Sequence, residues 1–273
     1  MQVLLALDTT PGSLRAKEMA WDIAKTRNGQ VKAVGIVDPS RVQKPALKAL
    51  LSDPNQPQEE DSSLTELRAR MRGVVERYSN ETSQMSFAKD AILKEGNGYD
   101  ILKGELETCD LAVISRDAEI GGPAGGSGIV QRLANESPRP LIVTSDVAKI
   151  GANTLVAYDG SDSAMRALQV FCLMGLTDGG NVVVVSIQAD RESAEQHSAR
   201  AVKFLETYGV QAELRVIETS SDPAAVMGET AQAIDAKFIV MGSRGRSGWL
   251  EMLTKSTTNN LMKESKTPLF LYH

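Results

Sequence analysis

Apolar residues in this chain fall into two kinds of pattern, and the two alternate. Short uninterrupted runs such as Leu4-Leu5-Ala6-Leu7, Val182-Val-Val-Val185 and Phe238-Ile-Val-Met241 are bounded by polar or turn-forming residues. Runs of this length and β-branched content predict strands buried on both faces. Between them the apolar positions recur every three or four residues. Examples are Leu64, Leu67, Met71, Val74, Val75 and Tyr78, and later Ala201, Phe204, Leu205 and Tyr208. Such stripes predict amphipathic helices whose apolar side packs onto a sheet. Alternating strands and helices imply a mostly parallel sheet with helices on both faces.

The pattern occurs twice. Leu4-Leu5-Ala6-Leu7-Asp8 recurs as Leu155-Val156-Ala157-Tyr158-Asp159, each followed by a helical stripe and then an apolar run, Val31 to Val37 or Val182 to Ile187. Asp110-Leu-Ala-Val-Ile114 matches Lys237-Phe-Ile-Val-Met241. Each half ends in Ser-x-x-Pro before a last strand, Leu141-Ile-Val143 or Leu269-Phe-Leu271. Five strands per copy are expected, each copy a doubly wound, Rossmann-like α/β domain. The first spans 1–147 and the second 153–273. Asp8 and Asp159 are 151 positions apart but Pro140 and Pro268 only 128, so the first copy carries 23 extra residues. Tyr78 and Tyr208, read as closing similar helices, are 130 apart, which places the insertion near 38–63. Within it, 44–51 suits a short helix and 53–61 a polar loop.

Composition narrows the function classes. With 42% hydrophobic and 24% charged residues and a net charge of −5, the chain reads as globular, without a global pull toward nucleic acid or anionic membrane. No run approaches the roughly 20 apolar residues of a membrane-spanning helix, and the first residues lack the flanks of a signal peptide. The expected location is the cytoplasm. Cys109 and Cys172 show neither disulfide nor metal spacing and read as buried thiols.

In a doubly wound sheet, ligands bind beyond the carboxyl ends of the strands. Two strand ends in the second half carry suitable chemistry. The first stops at Asp159-Gly160-Ser161, where a carboxylate can accept from a ligand's amino group or hydroxyl, or simply shape a turn. The fourth leads into Gly242-Ser243-Arg244-Gly245, and nine residues on into Lys255-Ser256-Thr257 before a helical stretch, Asn259 to Lys263. Glycines allow backbone N–H groups close to a phosphate, and hydroxyls and free N–H groups at a helix start suit an anion. Arg244 adds positive charge.

This order of strand ends and glycines resembles the universal stress protein family, over nearly all of 153–273 and more weakly over 1–146. The resemblance implies a tandem two-domain member binding ATP or another adenine nucleotide, with or without magnesium. Asp159 and Gly160 would then lie beside adenine, framed by Val185 to Ile187. Gly242, Arg244 and Gly245, with Lys255, Ser256 and Thr257, would hold ribose and phosphates. Lys255 departs from the family pattern, which has glycine there, and its side chain either obstructs a phosphate or pairs with it. In the first half the positions of Gly242 and Gly245 are taken by Ser115 and Ala118, while Asp117 and Glu119 add negative charge. That half is expected to bind no nucleotide; its Gly121 to Gly128 run reads as a flexible connector, the alternative being that Gly126-Ser127 or Gly128 forms the second part of the loop. The family also pairs through last strands, implying an internal pseudo-dimer here, with a homodimer and an unidentified protein partner further expectations.

The function expected is a stress-response sensor or regulator. The alternatives are a scaffold of the same family that binds no nucleotide, and a slow ATP hydrolase. Phosphate loops of the Walker kind and the Gly-x-Gly-x-x-Gly dinucleotide fingerprint are missing, and an ATP-pyrophosphatase loop is matched only in its ending, Asp162-Ser163. His197 and His273, the only histidines, form no catalytic set; His197 is expected to be a surface or satisfied side chain. No catalytic residue and no metal ligand is assigned.

Overall fold

The computed structural model describes residues 1–42, 62–120, 125–146, 151–177, 179–187, 191–219, 221–243 and 255–273. The first half runs β1 (Gln2–Leu7), α1 (Pro11–Thr26), β2 (Gln30–Val37), a 3-10 turn (Pro39–Arg41), α2 (Ser62–Thr82), β3 (Ala88–Glu95), α3 (Gly98–Leu106), β4 (Leu111–Ser115), α4 (Gly125–Glu136) and β5 (Leu141–Thr144). The second runs β6 (Asn153–Ala157), α5 (Asp162–Leu173), β7 (Val182–Ile187), α6 (Arg191–Thr207), β8 (Ala212–Ile217), α7 (Pro223–Ala233), β9 (Ala236–Gly242), α8 (Lys255–Glu264) and β10 (Leu269–Tyr272).

All ten strands form one sheet, in the order β3-β2-β1-β4-β5-β10-β9-β6-β7-β8. Each half therefore repeats the same doubly wound order of five parallel strands. The two meet at β5 and β10, the one antiparallel pair among these strands, with Leu269 opposite Val143, Phe270 opposite Ile142 and Leu271 opposite Leu141. The pairing covers two edges that would otherwise expose unpaired backbone groups.

Helices cover both faces of the sheet. On one face Met19, Leu67, Met71, Phe171, Ala201 and Leu205 from α1, α2, α5 and α6 share a core with Val3, Ile142, Val240 and Phe270. On the other, Leu102, Leu133, Met227 and Leu261 from α3, α4, α7 and α8 pack on Leu4, Ile114, Leu155 and Leu271. Both cores run through the β5–β10 seam, where Phe270 and Phe171 stack edge-on at 5.0 Å between ring centroids. Polar links cross it too: Gln131 donates to Asn259 at 2.7 Å and the Arg116 guanidinium to the Ser265 carbonyl at 3.0 Å.

Local sequence explains the helix starts nearest the strand ends. Pro11 opens α1 with its φ preset, and Ser161 caps α5 by accepting from the Ala164 N–H at 3.2 Å. Two expectations shift. The helix of Tyr78 continues to Thr82, whereas Tyr208 lies beyond the end of α6 and is 43% exposed, so the two tyrosines are not equivalent. Gly125 to Gly128, read as part of a connector, form the first turn of α4. The expected short helix at 44–51, the loop at 53–61 and 121–124 lie outside the described residues. No described helix is long and apolar enough to cross a membrane.

Candidate functional site

The winding direction reverses between β6 and β9 in the second half, as it does between β1 and β4 in the first. Beyond the carboxyl ends of each pair lies the crevice in which such sheets take ligands. In the second half Asp159, 8% exposed, stands just past β6, and its Oδ1 accepts from the Ser161 N–H at 2.9 Å. The turn role weighed from sequence is thus present, while the capping itself belongs to Ser161. Gly160 supplies the turn with a φ of +78°, in the left-handed region that favours glycine.

At the neighbouring strand end stands a residue that sequence reading left unassigned. β6 and β9 pair in parallel as far as Val156 and Val240, and Ser243 follows directly on β9. Ser243 is 2% exposed; its N–H is bonded to the Tyr272 carbonyl at 2.8 Å, but its hydroxyl is buried without a partner among the described residues. A buried hydroxyl with no partner is costly. A second such atom is His197 Nδ1. The expectation of a surface or satisfied histidine is corrected here. From α6, His197 leans on the Asp159–Ser161 turn: a Cβ at Gly160 would stand 3.1 Å from its Cγ. The signal available in the sequence was only the Ser of Gly-Ser-Arg-Gly; nothing marked His197, because a contact between α6 and the β6–α5 turn is a product of packing.

The remaining predicted residues divide. Val185 and Ile187 are 0% and 1% exposed, with side chains in the core, and the Val185 carbonyl already accepts from the Tyr158 N–H at 2.9 Å. At most the backbone end of β7 faces the crevice. Gly242 ends β9 against the first turn of α5, where a Cβ would lie 2.8 Å from the Ala164 nitrogen. Its glycine is required by helix packing at the crevice floor. Lys255, Ser256 and Thr257 form the first turn of α8, which starts earlier than the sequence suggested. Thr257 is 3% exposed. Arg244 and Gly245 lie outside the described residues.

The first-half crevice has the same frame and different contents. Ala118 and Ile120, in the segment after β4, are 0% and 1% exposed and belong to the core. Glu119 between them accepts from Thr9 Oγ1 at 3.3 Å and pairs with Arg41 at 2.9 Å. The Arg41 hydrogen bond holds the Glu119 carboxyl below the usual range. Asp38, at the end of β2, is fully engaged, accepting from Ser40 N–H and hydroxyl at 3.0 and 2.6 Å and from Gly98 N–H at 2.8 Å. The segment after β4 thus sends two side chains into the core and ties the third to Thr9 and Arg41.

The arrangement defines a doubly wound α/β protein with a polar crevice at the switch point of its second half. Residues 152–273 match the Universal stress protein family. A universal stress protein of Synechocystis is 24% identical over 175 residues, 63% of this chain, and the chain spans only 59% of that relative's length. One from Methanocaldococcus jannaschii is 25% identical over 129 residues, 47% of this chain and 74% of the relative. The crystal structure of a universal stress protein from Archaeoglobus fulgidus superposes with a TM-score of 0.70, covering 98% of this chain and 94% of that one at 15% identity, a likeness of fold. The sequence likeness to universal stress proteins thus lies in the second half, and the likeness to the Archaeoglobus structure is one of fold.

Proposed function

We propose that 153–273 binds an adenine nucleotide, ATP, ADP or AMP, in the crevice beyond β6 and β9, and that the protein works as a stress sensor or regulator through contact with a protein partner. The observation that carries this reading is the Ser243 hydroxyl, buried just past β9 without a partner among the described residues, on the strand next to the one that ends at the turn-shaping Asp159 carboxylate. Asp159 offers an acceptor for an amino group or hydroxyl, Ser243 a donor and acceptor, and the α8 start a set of N–H groups for phosphate. Arg244, Gly245 and Lys255 complete the phosphate side in this reading. Magnesium, where present, would be held chiefly by the phosphates.

We further propose that 1–147 and 153–273 are two copies of one domain, and that the first, which has Ser115 and Ala118 in place of the two glycines and Glu119 tied to Thr9 and Arg41, binds no nucleotide. It serves as the structural partner across the seam. No residue is assigned a catalytic role.

Isothermal titration with magnesium-ATP, ADP and AMP tests the proposal in wild-type protein, Asp159→Asn and Ser243→Ala. Asparagine keeps an acceptor for Ser161, and alanine removes only the orphaned hydroxyl. One nucleotide per chain is expected, weakened at least about tenfold in either variant. Absence of heat with all three nucleotides would leave the scaffold reading. Steady phosphate release from ATP would favour the hydrolase.

A further inference from the structure

A groove in the first half opens alongside its crevice and shares with it the end of β1. It opens between α1 and α2, encloses about 250 Å³, and every described residue lining it comes from the end of β1, the turn after it, α1 or α2. None comes from β2 or β4, so it lies to the side of the crevice.

At its inner end is Asp8, 6% exposed. Its Oδ1 accepts from the Thr10 N–H and the Thr10 hydroxyl, both at 2.5 Å. Its Oδ2 is buried without a partner among the described residues. Burial, opposed by the two Thr10 bonds, raises the Asp8 carboxyl above the usual range. A cationic N–H donor arriving from the groove would satisfy the orphaned oxygen and offset the cost of keeping the carboxylate charged. The outer wall has the opposite sign. Lys17 is occupied by Glu81 at 2.7 Å, but Arg77, exposed on α2, has no ion-pair or hydrogen-bond partner among the described residues. Between the two charges the surface is apolar, formed by Leu14, 48% exposed, with Val74 and Tyr78.

We infer that this groove binds a small zwitterion of the aliphatic α-amino acid class, its ammonium on Asp8 Oδ2 and its carboxylate on Arg77. The apolar body lies along Leu14, Val74 and Tyr78. A cavity of this size holds one such molecule and is too small for a nucleotide. The inference is independent of the nucleotide reading, since it uses other residues in the other half of the chain.

The experiment is titration of the full chain with L-leucine, followed by calorimetry and by backbone amide shifts in labelled protein. Leucinamide, which lacks the carboxylate, and 4-methylpentanoate, which lacks the ammonium, are the comparison probes. Saturable L-leucine binding is expected, with shifts concentrated in Thr9–Lys17 and Val74–Glu81. Each comparison probe should bind at least about tenfold more weakly. Asp8→Asn should abolish binding. Arg77→Gln, at an exposed position that does not threaten folding, should weaken L-leucine about tenfold and leave leucinamide unchanged. Failure of L-leucine to saturate, equal affinity for leucinamide, or full affinity in Arg77→Gln would each overturn the inference.

Discussion

Gly242, the last residue of β9, lies so close to Ser163 in the first turn of α5 that a Cβ on it would stand 2.2 Å from the serine hydroxyl oxygen. The matching positions in the first half hold the reverse pair. Ser115 ends β4 against Gly12 in the first turn of α1, and there the extra Cβ would stand 2.0 Å from the Ser115 hydroxyl. At this crossing of strand end and helix start there is room for one side chain, and the two halves place it on opposite elements. The absence of glycine at Ser115 thus has a packing explanation apart from any loss of phosphate binding.

Gly242→Ser is therefore expected to destabilise the protein by about 1–3 kcal/mol through overpacking. Adding Ser163→Gly should recover part of the loss, with a coupling of at least about 0.5 kcal/mol in a double-mutant cycle. Urea denaturation of the four proteins measures it. Strict additivity would mean that the exchange between halves is incidental. A Gly242 variant is accordingly a poor probe of nucleotide binding.

Gly160 is constrained twice, by its φ of +78° and by the ring of His197. Gly160→Ala should cost about 1–2 kcal/mol from the left-handed backbone alone, with a further loss from the His197 contact. In a His197→Ala background the second part should vanish and the first persist. Equal losses in both backgrounds would show that the ring yields without cost.

Glu105 of α3 pins β2 and β3 together. Its side chain is 7% exposed, Lys32 Nζ lies 2.5 Å from Oε2, and Lys94 bonds Oε1. Burial pushes its carboxyl up, and the two lysine hydrogen bonds outweigh that, leaving it below its ordinary value of 4.5. The folded state then binds fewer protons than the unfolded state in the range just below pH 4.5. This contribution is present above that range and is lost as pH falls through the folded value. Glu105→Gln should remove this part of the acid sensitivity and cost about 1.5–3 kcal/mol at neutral pH, mostly through Lys32. Lys94, 46% exposed, adds little because water screens it. Denaturation midpoints across the acid range check the sign: an undiminished pH slope in the variant would place the acid sensitivity elsewhere.

Cys172 is 5% exposed and burial pushes its thiol up to about 11; burial also raises Cys109, 2% exposed. Both thiols should resist Ellman's reagent in the folded protein at mildly alkaline pH and react together once it is unfolded in guanidinium. Rapid reaction of Cys172 alone would reveal local opening of α5.

Much of the fold was legible because its signals are local. The uninterrupted runs at β1, β2, β4 to β7, β9 and β10 are strands buried on both faces, and period alone finds them. The terminal strands β3 and β8 are less apolar, since an edge strand meets water: every residue of β8 is at least partly exposed. The sequence also placed Asp159, Gly160 and Gly242 at strand ends, because a strand's end and a turn's glycine are neighbours along the chain. Other relations needed the assembled molecule. That Ser243 and Asp159 end adjacent strands, that His197 leans on Gly160 and that Ile120 is buried in the core depend on strand order and helix packing. Those contacts join residues far apart in the chain, and neither composition nor periodicity records which of them share a space. Asp8 and Asp159 look alike in sequence. Tertiary structure sets Asp159 beside a polar crevice, and gives Asp8 a groove between two helices.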